Sequence, residues 1–128
     1  MKAKTKNITG WVLSGLIGLM LGASAIDKII GSEHALQTGA SFGLSAGTYS
    51  VLGMIEIFSV ILFLYPRTGI LGTLLLSSYL GGAIATHLQH HQSILFPMAF
   101  EAVAWIAAVI RFPELRLRIW NDKSIGQV

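Results

Sequence analysis

Long apolar runs separated by short polar breaks dominate the chain. Apolar residues fill most positions in four stretches, at approximately 8–28, 48–65, 68–88 and 94–111. Each stretch is close to the roughly 20 residues that a helix needs to cross the hydrocarbon core of a bilayer. The alternation typical of strands is missing, and a backbone in lipid must satisfy its hydrogen bonds within its own segment. The pattern therefore predicts an all-α protein, a four-helix transmembrane bundle.

The connections between the stretches constrain how the helices are arranged. A tight turn at 66–69 and a short segment around His90 and His91 make the second, third and fourth helices successive antiparallel neighbours. In the longer first connection, Ser32 is placed to cap a short interfacial helix over 32–37, which Gly39 is expected to end. No change in composition marks a linker, so residues 1–128 are predicted to form a single domain.

Composition and charge narrow the class of protein. The chain is 53% hydrophobic and 12% charged, which excludes an ordinary water-soluble domain. It contains no cysteine, which excludes disulfides, thiol redox chemistry and thiolate metal sites. The net charge is +3, but the basic residues flank apolar segments. The predicted anionic partner is therefore the headgroup layer of the lipid bilayer and not nucleic acid.

The distribution of lysine and arginine predicts the orientation. The connections on one side of the bundle, roughly 31–47 and 89–93, contain neither residue. The basic residues on the other side are Lys2, Lys4, Lys6, Arg67, Arg111, Arg116, Arg118 and Lys123. Because cytoplasmic segments are enriched in lysine and arginine, both termini are predicted to be cytoplasmic in a multi-pass protein.

One alternative concerns the first apolar stretch. The three early lysines, the apolar run to Leu21 and the small residues at 23–25 imitate a secretory signal with its cleavage site. Cleavage would leave three spans. The four-span interpretation is preferred because the small residues are also explained as a helix-packing face.

Small residues recur four positions apart on two helices, at Ser14, Gly18 and Gly22 and again at Ser78, Gly82 and Thr86. This spacing lets helix backbones approach closely in lipid. One interpretation is that the two stripes pack inside a single bundle. The alternative is that they form a homodimer seam or a contact with another membrane subunit.

Three further stretches resemble a known family. They are Leu52–Ile57 in the second span, Leu64–Thr68 at the following turn, and Tyr79–Leu88 at the end of the third span. They are similar to the DoxX-like family of small four-helix bacterial membrane proteins, and the similarity covers roughly residues 10–118. The resemblance implies a location in the bacterial cytoplasmic membrane, the inner membrane.

The resemblance says less about activity than about fold. The family name derives from a subunit of a quinone-reducing oxidoreductase, so the resemblance makes a quinone-like molecule a candidate ligand. Related proteins are linked to complexes that use thiols, a role that has no cysteine to act through here. The resemblance therefore supports the fold much more strongly than any reaction.

Two acidic residues within the spans are the first candidates for chemistry. An ionisable group inside a membrane is costly and needs an explanation. Glu56 and Glu101 are predicted to lie at similar depth and to share a proton if both face the bundle interior. Such a pair would suit acid-base catalysis, proton-coupled binding or a hard-cation site. The alternative is that each is a neutral acid, hydrogen-bonded to Ser, Thr, Tyr or Trp, that fixes helix packing.

Polar and aromatic residues near the outer ends of the helices complete the predicted site. Asp27 is expected to pair with Lys28 or His87 and to close the mouth of the bundle, while Trp105 shares a face with Glu101. The predicted ligand-binding residues are Asp27, Glu56, Tyr79, His87, Glu101 and Trp105, of which Glu56 and Glu101 are the catalytic candidates. The alternative for the aromatic residues is simple packing, and for the polar ones solvation at the interface.

The histidines do not indicate a metal site. His87, His90 and His91 have no intervening carboxylate, so no bound metal is expected.

The leading functional interpretation is a membrane protein with an outward-opening polar pocket for a small apolar or quinone-like molecule. An oxidoreductase subunit or an isomerase-type acid-base catalyst is one alternative. A structural or assembly subunit that binds another membrane protein through its glycine faces is another. Transport is disfavoured because four helices without broken repeats make a poor monomeric transporter.

Overall fold

Helices make up nearly all of the chain that the structure describes. The computed structural model describes residues 3–120, with side chains from Asn7 onward, so the side chains of the early lysines and the segment containing Lys123 lie outside the described residues. The helices are α1 Ala3–Ile30, α2 Glu33–Ser41, α3 Ala46–Leu64, α4 Gly69–Gln89, α5 Leu95–Arg111 and α6 Pro113–Trp120. No strand occurs within residues 3–120, which confirms the predicted all-α class.

The four long helices pack side by side in a ring. Helix α1 contacts α3 and α5, and α4 contacts the same two helices, so α3 and α5 occupy diagonal corners. The buried core is formed by Ile17, Leu21, Val60, Phe63, Leu76, Leu80, Ala104 and Ala107. Large apolar side chains are also exposed around the outside of the bundle. A soluble protein would not expose so much apolar surface, whereas lipid covers it.

The helix lengths support a membrane location. Three stretches are long and apolar enough to cross a bilayer, at Asn7–Ile30, Ala46–Leu64 and Pro66–Gln89. The predicted fourth span corresponds to α5, which has 17 residues and is followed by α6 at an angle of 107°. The described chain therefore contains three to four candidate membrane-spanning helices.

The first connection differs from the prediction in where its helix ends. Ser32 caps α2 as expected, since its Oγ accepts a hydrogen bond from the Ala35 amide at 3.0 Å. Gly39, however, does not end the helix. It is buried inside α2, where an added Cβ would lie 3.0 Å from Cγ of Tyr49. Gly39 thus permits close packing on α3, and the chain turns at Gly43, whose φ is +71°.

Helices α3 and α4 approach closely at one end and separate toward the other. Beside the turn that joins them, a Cβ on Gly72 would lie 2.1 Å from the backbone nitrogen of Phe63, so only glycine permits this contact. Further along α4, a Cβ on Gly82, which lines the space between the helices, would meet nothing within 4 Å. The separation leaves an open space between the two helices at the end away from the turn.

The two small-residue stripes have different environments. On α1, Ser14 is fully buried, and a Cβ on Gly18 would lie 2.8 Å from Leu64 of α3, so this stripe packs inside the bundle. On α4, Ser78, Gly82 and Thr86 line the space beside α3.

Candidate ligand-binding groove

The space between α3 and α4 forms a groove with a volume of about 430 Å³. Its lining is predominantly apolar and comes from the facing sides of the two helices, with Lys28 from α1 and two residues from the segment after α2. The lining residues are Lys28, Phe42, Leu44, Tyr49, Leu52, Ile55, Ser59, Leu75, Ser78, Tyr79, Gly82, Ala83, Thr86 and His87. Its size and apolar character fall within the range of pockets that bind small molecules in proteins.

A charged residue from α1 reaches the groove and is held there by two partners. The Lys28 ammonium donates to Oε1 of Glu56 at 2.8 Å and to Oη of Tyr79 at 2.7 Å. It also lies 5.3 Å from the ring centroids of Tyr49 and Tyr79. Glu56 is only 1% exposed, so Lys28 stands between this carboxylate and the groove.

The hydrogen-bonding capacity of Lys28 is not exhausted by these partners. An ammonium group has three donors, and Glu56 and Tyr79 accept two of them. Because Lys28 lines the groove, its third N–H is available to an acceptor located there. The positive charge is balanced by Glu56, so Lys28 offers the groove a donor without adding net charge.

An aromatic and histidine cluster lies at the end of the groove away from the turn between α3 and α4. Phe42, which follows α2, packs on His87 with the ring centroids 4.7 Å apart and on His90 at 5.9 Å. Nδ1 of His87 lies 2.6 Å from the carbonyl oxygen of Ala83, which can only accept, so Nδ1 carries the proton. In the neutral ring, Nε2 of His87 is then a hydrogen-bond acceptor at the edge of the groove.

Glu101 belongs to a different cluster. Its Oε1 accepts a short hydrogen bond from Ser77 and another from Nε1 of Trp105 at 3.1 Å. Nε1 of Trp105 also lies 3.1 Å from Oγ of Ser77. This cluster joins α4 to α5, and none of its members lines the groove.

The predicted pairing of the two acidic residues is not present. Glu56 instead accepts a hydrogen bond from Lys28 of α1, whereas Glu101 accepts from Ser77 of α4 and from Trp105 of its own helix. The helices that carry them lie at diagonal corners of the bundle. For Glu101, the arrangement matches the alternative in which hydroxyl and indole donors hold an acid that fixes helix packing.

The predicted partners of Asp27 are also different. Lys28 binds Glu56 instead of Asp27, and His87 binds the backbone of its own helix. The contribution of Asp27 to hydrogen bonding is its carbonyl oxygen, which accepts from Gly31 and Ser32 where α1 ends. Its side chain does not line the groove.

The structure therefore brings together part of the predicted set and adds residues to it. Tyr79 and His87 line the groove, and Glu56 supports it from behind Lys28. The sequence predicts Lys28 only as a partner of Asp27, and it predicts no site role for Tyr49. The need of buried Glu56 for a counter-charge could have identified Lys28, since it is the lysine located within the apolar stretches. Among residues 3–120, no group of three or more metal-ligating side chains is suited to a metal ion.

The apolar helices and their outward apolar faces define a multi-pass membrane protein. Residues 12–110 match the DoxX-like family. Because this match covers most of the chain, the protein belongs to the DoxX-like family, which confirms the resemblance found in the sequence. Comparisons with curated proteins and with solved structures give no match.

Proposed function

We propose that this DoxX-like protein binds a small, neutral, largely apolar molecule with a hydrogen-bond acceptor, such as a quinone, in the groove between α3 and α4. The observation that carries the proposal is the Lys28 ammonium, held by Glu56 and Tyr79 in the lining of a predominantly apolar groove. A carbonyl oxygen is the simplest acceptor for its remaining N–H.

The charge of the site favours a neutral ligand. Lys28 and Glu56 neutralise each other, so an anionic ligand would bring an uncompensated charge into the groove. The same ion pair argues for binding over acid-base catalysis, because Glu56 is occupied by Lys28 and does not reach the groove.

The exposed side of the groove indicates how a ligand would enter. Ile55 is 47% exposed, and Ser78 and Gly82 are exposed as well. These positions are on the outward faces of two candidate membrane-spanning helices, where acyl chains would surround the bundle. A ligand dissolved in the bilayer would therefore enter sideways, between α3 and α4, without crossing water.

We also infer that the groove lies in the outer half of the bacterial cytoplasmic membrane and that both termini are in the cytoplasm. The distribution of lysine and arginine supports this orientation, since Arg67, Arg111 and Arg116 lie at the opposite end of the bundle from the groove. Reporter domains fused after Val128 and inserted at Thr38 should therefore report cytoplasmic and external locations, respectively. An external location for Val128 would contradict this orientation.

The proposed function predicts a preference for ligands with a carbonyl group. The protein in lipid nanodiscs should bind decylubiquinone about tenfold to a hundredfold more tightly than decylbenzene, which has the same tail without the acceptor. A hydrogen bond to a charged group contributes about 1.5–3 kcal/mol, which corresponds to this range. Titration calorimetry with each compound provides the measurement.

The control for that preference is the double variant Lys28→Met/Glu56→Leu, which removes donor and counter-charge together. It should bind the two compounds with similar affinity while keeping the apolar walls. Equal affinity of the unaltered protein for both compounds would contradict a donor role for Lys28.

A further inference from the structure

A second buried cation lies at the opposite end of the bundle from the groove. Arg111, at the end of α5, is 7% exposed. Its Nη1 donates to Oγ of Ser14 on α1 at 3.0 Å. Its Nε and Nη2 are buried and have no hydrogen-bond partner. This guanidinium therefore has two buried nitrogen atoms whose three N–H groups are unsatisfied.

Aromatic rings surround the guanidinium without satisfying those donors. Its Cζ lies 4.1 Å from the ring centroid of Trp11, 4.7 Å from that of Phe112 and 5.1 Å from that of Phe63. Aromatic faces stabilise a cation, but they provide no strong acceptor in the plane of the guanidinium. The ion pair found in residues 3–120 is between Lys28 and Glu56, so no carboxylate of this part of the chain neutralises Arg111.

The identity of the two unsatisfied atoms specifies what they could bind. Nε and Nη2 form one edge of the guanidinium, with two parallel N–H groups that match a pair of oxygens on one oxyanion. A buried, charged group with unsatisfied donors is costly unless an acceptor with opposite charge completes it. The edge is therefore suited to a phosphate or carboxylate group.

The position of Arg111 favours a phospholipid as the source of that group. Helix α6 leaves α5 at 107°, the geometry of a helix that turns from a span into the membrane surface. It exposes Ile119 and Trp120, with fractional exposures of 49% and 55%, as expected at the interface. We propose that Arg111 binds the phosphate of a membrane phospholipid at this end of the bundle, a site separate from the groove.

The aromatic cluster also indicates which residue must move for a headgroup to reach Arg111. Phe63 is 0% exposed and Phe112 is 8% exposed, so both rings are fixed in the interior. Trp11 is 42% exposed and borders a surface depression that is also lined by Asn7, Ile8 and Val12. Displacement of the Trp11 indole is therefore the least costly way to open the edge of Arg111 to lipid.

The test compares thermal unfolding of the purified protein in a maltoside detergent with different additions. Phosphatidylglycerol should raise the midpoint by about 4 °C or more, whereas diacylglycerol with the same chains should not. Arg111→Lys retains the positive charge but loses the paired donors, so it should lose most of this increase. Arg118→Lys, at an exposed position of α6, is the matched control and should keep it.

Two outcomes would overturn the proposal. If Arg111→Lys keeps the full effect of phosphatidylglycerol, the lipid acts through general charge or another site. If inorganic phosphate alone stabilises the protein as strongly as phosphatidylglycerol, the site is for a free oxyanion and the lipid assignment is wrong.

A second measurement avoids dependence on folding of the Arg111 variant. The protein labelled with ¹⁵N-arginine contains four arginines. Single variants of Arg67, Arg116 and Arg118 each lose one Nε–H resonance, and the remaining resonance in the spectrum of the unaltered protein is that of Arg111. Phosphatidylglycerol should shift that resonance, while diacylglycerol should leave it in place. An Arg111 resonance that does not respond to phosphatidylglycerol would contradict the proposal.

Discussion

Replacing Glu56 by leucine is expected to destabilise the protein by about 3–5 kcal/mol, because it leaves the buried Lys28 ammonium without its counter-charge. Both are shielded from solvent, since the side-chain atoms alone are 11% exposed in Lys28 and 2% exposed in Glu56. Glu56→Gln should have a smaller effect, since the amide oxygen still accepts a hydrogen bond from Lys28 but carries no charge. From the sequence alone, Glu56→Gln is expected to fold normally and to lose most ligand binding or activity; the pairing of Glu56 with Lys28 adds a loss of stability to that expectation.

The same ion pair predicts a rescue. Replacing both partners, as in Lys28→Met/Glu56→Leu, removes the uncompensated charge, so the double variant should be close to the parent protein in stability. Chemical unfolding of all three variants in detergent micelles gives the free energies. Glu114→Leu, which removes an exposed glutamate from α6, controls for the loss of one negative charge. If Glu56→Leu unfolds at the same denaturant concentration as the parent, the ion pair does not stabilise the fold.

The all-α fold could be predicted from the sequence because it follows from the length of the apolar runs and the shortness of the turns between them. Runs of about 20 apolar residues form helices in lipid, because the backbone hydrogen bonds must be satisfied within each segment. The tight turn at Pro66 makes the two helices that it joins antiparallel neighbours. The end of α2 was missed for a physical reason: Gly39 is small because it packs on Tyr49, and a glycine that allows close packing looks the same in a sequence as one that ends a helix.

The site could be predicted only in part. The position of a residue along an apolar stretch gives its depth in the membrane, but it does not give the direction in which its side chain faces. The cost of an acid inside an apolar span predicts that Glu56 and Glu101 need partners, and each accepts a hydrogen bond. Depth alone suggested that they face each other. Their actual partners, Lys28 and Ser77, depend on which face each helix presents, and that is decided by packing across the whole bundle.

Filling the groove is expected to abolish ligand binding without harming the fold. A Cβ at Gly82 would meet nothing within 4 Å, and Gly82 lines the groove, so a leucine side chain there would occupy the ligand's space. Leucine is also the better helix former, by about 1 kcal/mol relative to glycine, so Gly82→Leu should be at least as stable as the parent.

Gly81 provides a matched control for this substitution. A Cβ there is equally unobstructed, but Gly81 does not line the groove. Gly81 directly precedes Gly82, and successive residues of a helix point about 100° apart around its axis. Gly81→Leu therefore carries the same chemical change, in the same helix and at nearly the same depth, outside the groove.

The measurement that tests the groove most directly is titration of decylubiquinone into Gly81→Leu and Gly82→Leu in identical nanodiscs. We expect Gly81→Leu to bind as tightly as the parent protein and Gly82→Leu to show no saturable binding, with both variants unfolding at or above the parent's midpoint. Equal binding by the two folded variants would show that the molecule binds elsewhere, and it would contradict the assignment of the groove between α3 and α4 as the ligand site.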